Sequence, residues 1–140
     1  MSARINHPCL SSQYVEARAY QLKALNSILN SSTLLVLPTA MGKTPVEFMA
    51  IADIISQFPT KKVLFIAPTN PLLHQCWEEG DKFLNISGGT VLINGGIQWE
   101  KRKELVKDAT LIFATPQVIR NDVKRGSISL TDFCLLVIDE

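Results

Sequence analysis

Thr33-Leu34-Leu35-Val36-Leu37-Pro38-Thr39-Ala40-Met41-Gly42-Lys43-Thr44 is the stretch on which the fold turns. Residues 33–37 are a short apolar run rich in β-formers. Residues 44–58 carry helical periodicity and close at Phe58-Pro59. Between strand and helix lies a turn with glycine, lysine and threonine. A bound phosphate needs converging backbone N–H groups, a close chain approach and a helix N-terminus behind it. Gly42 permits the approach, Lys43 supplies charge for the β- and γ-phosphates, and the Thr44 hydroxyl is a ligand for Mg²⁺. The strict pattern G-x-x-x-x-G-K-[ST] fails, because Leu37 stands at its first glycine. The looser form A-x-x-G-x-G-K-T fits better, with departures at Leu37 and Ala40. The alternative is an ordinary strand-to-helix turn with a surface lysine. The flanking elements favour the phosphate loop, formed by Thr39, Ala40, Met41, Gly42, Lys43 and Thr44.

Outward from this stretch the chain alternates helix and strand. Helices are predicted over 14–29, 44–58, 71–84, 98–107 and 116–124, and strands over 33–37, 63–67, 90–93, 111–114 and 135–138. Short strands that are apolar on both sides, separated by helices, predict a doubly wound α/β domain with a parallel sheet. In such sheets ligands bind at the carboxyl ends of the strands. Every distinctive motif falls on a loop of that kind. Asp139-Glu140 follows the last strand. Beside a phosphate loop, Asp139 is placed to hold Mg²⁺ and Glu140 to orient or deprotonate the attacking water. Ala67-Pro68-Thr69-Asn70-Pro71 and Ala114-Thr115-Pro116-Gln117 each follow a strand and open a helix. Thr69 and Thr115 there suit either helix capping or contact with a nucleic-acid backbone.

Composition sets bounds. The 140 residues suffice for one sizeable core, and 46% hydrophobic with 19% charged residues exclude a disordered chain. With 14 Lys and Arg against 13 Asp and Glu, no global basic field points to nucleic acid. The basic stretch around Lys101-Arg102-Lys103 is interrupted by Glu100 and Glu104, which suggests a solvated helix face first. No apolar run approaches the roughly 20 residues of a membrane span, and the N-terminus lacks a signal-peptide core. Cys9, Cys76 and Cys134 have no metal-binding spacing, and Cys76 and Cys134 read as small core hydrophobes. A soluble, intracellular (cytoplasmic) protein is the expectation.

The chain resembles the first RecA-like domain of superfamily 2 helicases, and is most similar to the Hef/FANCM branch. The resemblance rests on Arg18-Ala19-Tyr20-Gln21, the stretch 37–44, Ala67-Pro68-Thr69-Asn70-Pro71-Leu72, Asn94-Gly95-Gly96, Ala114-Thr115-Pro116-Gln117-Val118-Ile119, Asn121-Asp122 and Ile138-Asp139-Glu140. It implies a three-layer RecA-like P-loop NTPase domain with a mostly parallel sheet, truncated after the Asp-Glu motif. Residues 1–140 would be a partial ATP-binding domain whose glutamine-motif helix covers about 14–29. The implied ligands are ATP and Mg²⁺. By the same resemblance Gln21 reads the adenine with Tyr20 packed nearby, and Arg18 belongs to the same motif. Thr69, Gly95, Gly96 and Thr115 would touch the DNA backbone, and Arg102 lies where relatives carry a basic residue. The implied activity is ATP-dependent DNA unwinding or translocation at forks and junctions. An RNA-acting relative and a non-catalytic nucleotide-binding remnant are the alternatives. A second RecA-like domain is expected and lies outside the chain. The strand that relatives insert between the phosphate-loop strand and the Asp-Glu strand is missing too. Residues 33–37 and 135–138 are therefore expected to present unpaired apolar edges.

Overall fold

The computed structural model describes residues 2–4, 7–11, 16–37 and 43–139. Four of its strands form one parallel sheet: β3 (Lys62–Ile66), β4 (Thr90–Ile93), β5 (Leu111–Ala114) and β6 (Phe133–Ile138), in the order β4-β5-β3-β6. Among the described residues five α-helices connect or flank them: α1 (Ala19–Asn30), α2 (Lys43–Gln57), α3 (Asn70–Phe83), α4 (Trp99–Asp108) and α5 (Pro116–Arg125). The α/β class and these helices match the sequence reading to within a few residues, except that α1 starts at Ala19. Its expected first turn is instead β2 (Glu16–Arg18), paired antiparallel with β1 (Ser2–Arg4).

Alternation along the strands divides the core into two layers. Val63, Phe65, Leu111 and Phe113 face α2 and α3, with Phe48 and Leu73 packed among them. Leu64, Ile112 and Ala114 face the other way, onto Val106, Val118 and Ile119 of α4 and α5. Helix α2 is buried continuously over residues 46–52 because the sheet covers one side and α1 the other. Such a helix is apolar all round, and Glu47 is the exception in that run. Gly80 lets α3 approach closely: a Cβ there would lie 3.0 Å from Phe113 Cζ and 3.2 Å from Phe48 Cε1.

The expected strand over 33–37 is corrected. These residues join no ladder, and Leu34 and Val36 are 89% and 79% exposed. A strand exists through a partner that takes its N–H and C=O groups, and no described strand flanks this run. At the other place the expectation holds. β6 is an edge of the sheet, paired with β3, and Leu136 and Ile138 are exposed.

Candidate functional site

Ladder register sets the geometry of the site. Ile93 is level with Ala114, Ala114 with Ile66, and Ile66 with Ile138. The next residues, Asn94, Thr115, Ala67 and Asp139, therefore leave the sheet at one height along its carboxyl edge. At about 4.8 Å per strand the row is about 14 Å long. Asp139 stands at one end and the Asn94-Gly95-Gly96 loop at the other, with the openings of α3 and α5 between them.

At the Asp139 end a compact charged group forms. Lys43 Nζ lies 2.7 Å from Asp139 Oδ1. Cys76 Sγ donates to Asp139 Oδ2 at 3.5 Å, and the Asp139 amide donates to the Ile66 carbonyl at 2.9 Å. Burial pushes the Asp139 carboxyl up, but hydrogen bonds from Lys43 and Glu47 and the Lys43 charge outweigh it, leaving its pKa below the ordinary value. Glu47 goes the other way: burial first, then the Asp139 charge, raise it to about 9. Glu47 is thus a neutral acid at pH 7, and its Oε2 has no hydrogen-bond partner among the described residues. Burial and the same Asp139 charge raise the Cys76 thiol to about 12, so it stays protonated. The first two turns of α2 carry the cation, the Thr44 hydroxyl and this neutral acid, while β6 delivers the ionised carboxylate. Carboxylate and hydroxyl oxygens are the donor type that a hard divalent cation such as Mg²⁺ takes. Among the described residues no cluster of three metal-ligating acids, histidines or cysteines exists.

Thr39, Ala40, Met41, Gly42 and Glu140 lie outside the described residues. Gln21 is buried, and its Oε1 accepts the Arg18 amide at 2.7 Å, which fastens the first turn of α1. Tyr20 is half-buried on the same turn and Arg18 is exposed. Thr69 is the exposed cap of α3, accepting the Leu72 amide at 3.4 Å, whereas Thr115 is buried and makes no such capping bond. Gly95 and Gly96 are exposed, and the Gly96 amide donates to Asn94 Oδ1 at 2.9 Å.

Arg102 is not displayed to solvent. The residue is 7% exposed, and its Nε and Nη2 donate to Asp122 Oδ2 and Oδ1 at 2.7 and 2.6 Å. Nη1 donates to the Ile97 carbonyl. The guanidinium is engaged inside the domain.

The DEAD/DEAH box helicase family matches residues 18–140. The chain belongs to that family. Among similar members is a Methanocaldococcus jannaschii protein named as a putative ATP-dependent RNA helicase, 39% identical over 97% of this chain and 18% of its own length. Another is the Drosophila melanogaster DEAD-box ATP-dependent DNA helicase Fancm, 34% identical over 88% of this chain and 9% of its own. The Pyrococcus furiosus Hef helicase domain superposes with a TM-score of 0.82 at 35% identity, covering 88% of this chain and 26% of that one. These relatives bear out the resemblance to the Hef/FANCM branch and its RecA-like fold. The chain spans about a fifth or less of the curated relatives' length. No helix among the described residues is long and apolar enough to cross a membrane.

Two residues beside Asp139 were missed in the sequence, and the surroundings of a third residue, Asp122, were not legible. Glu47 had a legible signal, one acid in an otherwise apolar run. Cys76 had none, because its neighbour Asp139 is 63 positions away. Asp122 was visible as part of Asn121-Asp122, without its burial or its partner.

Proposed function

We propose that the chain is the ATP-binding part of an ATP-dependent DNA helicase or translocase that acts on forked or branched DNA. The observation that carries this is the Lys43–Asp139 pair at the end of a strand row whose other loops open toward one edge. Lys43 would bind the β- and γ-phosphates, and the loop 39–42 would wrap them with backbone amides. Thr44 and Asp139 would hold Mg²⁺, which neutralises charge that develops on the phosphates. Glu140 would orient or deprotonate the attacking water. Gln21 would read adenine from the first turn of α1, with Tyr20 and Arg18 beside it. Thr69, Gly95, Gly96 and Thr115 would contact the DNA backbone.

Fast turnover in such enzymes needs an arginine against the transferring phosphoryl group, worth roughly 10³–10⁵ in rate. A second RecA-like domain would supply that arginine, so the 140 residues alone should turn over ATP slowly. The name of the M. jannaschii relative favours RNA as the second reading.

The test is a titration of Mg-ATP into the chain and its Lys43→Ala variant, followed by competition between forked DNA and duplex RNA. Loss of nucleotide affinity in the variant, with preference for forked DNA, supports the proposal. Unchanged nucleotide affinity makes the loop only a turn, and preference for duplex RNA transfers the site to the second reading.

A further inference from the structure

Arg102 lies on α4, Asp122 on α5, and between them they hold a loop that belongs to neither helix. In the Asn94-Gly95-Gly96-Ile97 loop the two glycines are exposed and their neighbours half-buried, so its backbone has much freedom to lose on ordering. Its internal ties are short-range: Gly96 N–H to Asn94 Oδ1 at 2.9 Å and Ile97 N–H to the Asn94 carbonyl at 3.2 Å. The Arg102 guanidinium reaches it from α4, donating to the Ile97 carbonyl. That guanidinium is held in turn by two parallel hydrogen bonds to Asp122, a carboxylate with no exposed surface. Arg125 Nη1 also lies 3.1 Å from Asp122 Oδ1, and its guanidinium stacks over the Trp99 ring at 5.0 Å. The Asp122 carbonyl accepts amides of Ser127 and Ile128, which tightens the end of α5 around the same residue.

A buried ion pair is a poor source of stability, because desolvation offsets much of its attraction. What this pair supplies that two apolar side chains cannot is direction. A planar donor fork locked on a carboxylate fixes where its remaining N–H groups point. We propose that Arg102 and Asp122 are positioning residues that set the height of the Asn94–Ile97 loop against α5. The loop and the Thr115 end of α5 then present one continuous surface to a nucleic-acid backbone. This rests on the DNA-binding reading above, and it assigns Arg102 a role through another group in place of a phosphate contact.

The test replaces the pair by Arg102→Met with Asp122→Leu, which preserves buried volume and removes the directed bonds. Hydrogen exchange and the binding of a labelled forked DNA over a range of salt are then measured on the whole chain. The variant should melt close to the parent, while the amides of residues 94–98 exchange at least about tenfold faster and α3 and β3 remain protected. DNA affinity should fall about tenfold with the slope of log affinity against log salt unchanged. Loop amides as slow as in the parent overturn the proposal. So does a slope reduced by about one, the signature of one phosphate fewer neutralised by the protein. If the double variant does not fold, Asp122→Asn takes the same measurements, and failure of both to fold makes the pair a requirement of the fold and overturns the proposal. A parent chain that binds no forked DNA defeats the DNA reading instead, and the exchange measurement still decides the clamp.

Discussion

Glu47→Gln offers a direct test of the charge arrangement around Asp139. In the folded chain Glu47 holds its proton up to about pH 9, against an ordinary 4.5. The sign follows from proton counting. Between those values the folded state binds a proton that the unfolded state has released, so stability falls as pH rises through this window. Each pH unit is worth about 1.4 kcal/mol at most, so the ceiling between pH 4.5 and pH 8 is on the order of 5 kcal/mol. Relaxation of an ionised Glu47 toward Lys43 lowers it. Glutamine copies the protonated acid in shape, donates a hydrogen bond as that acid does, and does not titrate. The parent and Glu47→Gln should therefore melt alike near pH 5 and separate steadily toward pH 8, with the variant the more stable. Asp139 works in the opposite direction, since its stabilising pair is lost only as pH falls through its depressed pKa, below this window. The assay is thermal unfolding in parallel buffers at half-unit steps. Two melting curves that stay parallel from pH 5 to pH 8 refute the reasoning, because Glu47 would then ionise at an ordinary pH.

Two further outcomes follow from packing. Gly80→Ala should lower the melting temperature: better helix propensity gains about 1 kcal/mol, but overpacking costs about 1–3 kcal/mol. Phe113 and Phe48 have no room to retreat, since their rings lie 4.9 and 6.2 Å from that of Phe65, and a higher melting temperature would sink this account. The chain should self-associate in sedimentation through the exposed edge β6, and Leu136→Lys there should reduce that association with little change in melting temperature. Unaltered association would show that this edge does not recruit other chains.

Much of the sheet and helix order was legible because strand residues such as 111–114 are apolar throughout and the intervening helices have clear starts at Pro71 and Pro116. Residues 33–37 have the same local character and yet form no strand. Pairing is a property of neighbours, and composition cannot show whether a neighbour is there. The β1–β2 pair escaped for a different reason: two three-residue strands are too short for an alternating pattern to stand out. Within the candidate site, Lys43 and Asp139 drew notice by position, one at the start of α2 and the other directly after β6. Thr69 was readable as a cap. The burial of Arg102 was not legible, since its surroundings in sequence are charged and exposed, whereas its partner lies 20 positions away. Lys101 and Glu104, its neighbours, do behave as a solvated face, with an exposed pair at 3.7 Å. Cys76 joins the core as expected, but also meets Asp139, which no local pattern announces.

The Lys43–Asp139 pair has a consequence for how ligands arrive. Each side chain serves as the other's counterion, so the pocket is already electrically closed. An anion that captures Lys43 on its own strands Asp139 beside the raised acid Glu47, and a cation that captures Asp139 on its own strands Lys43. When both arrive together, each half of the broken pair finds a new partner and nothing is left unbalanced. Were the proposed nucleotide and cation to bind there, uptake of the polyanion and uptake of the cation would reinforce one another, and salt of either kind alone would gain little purchase.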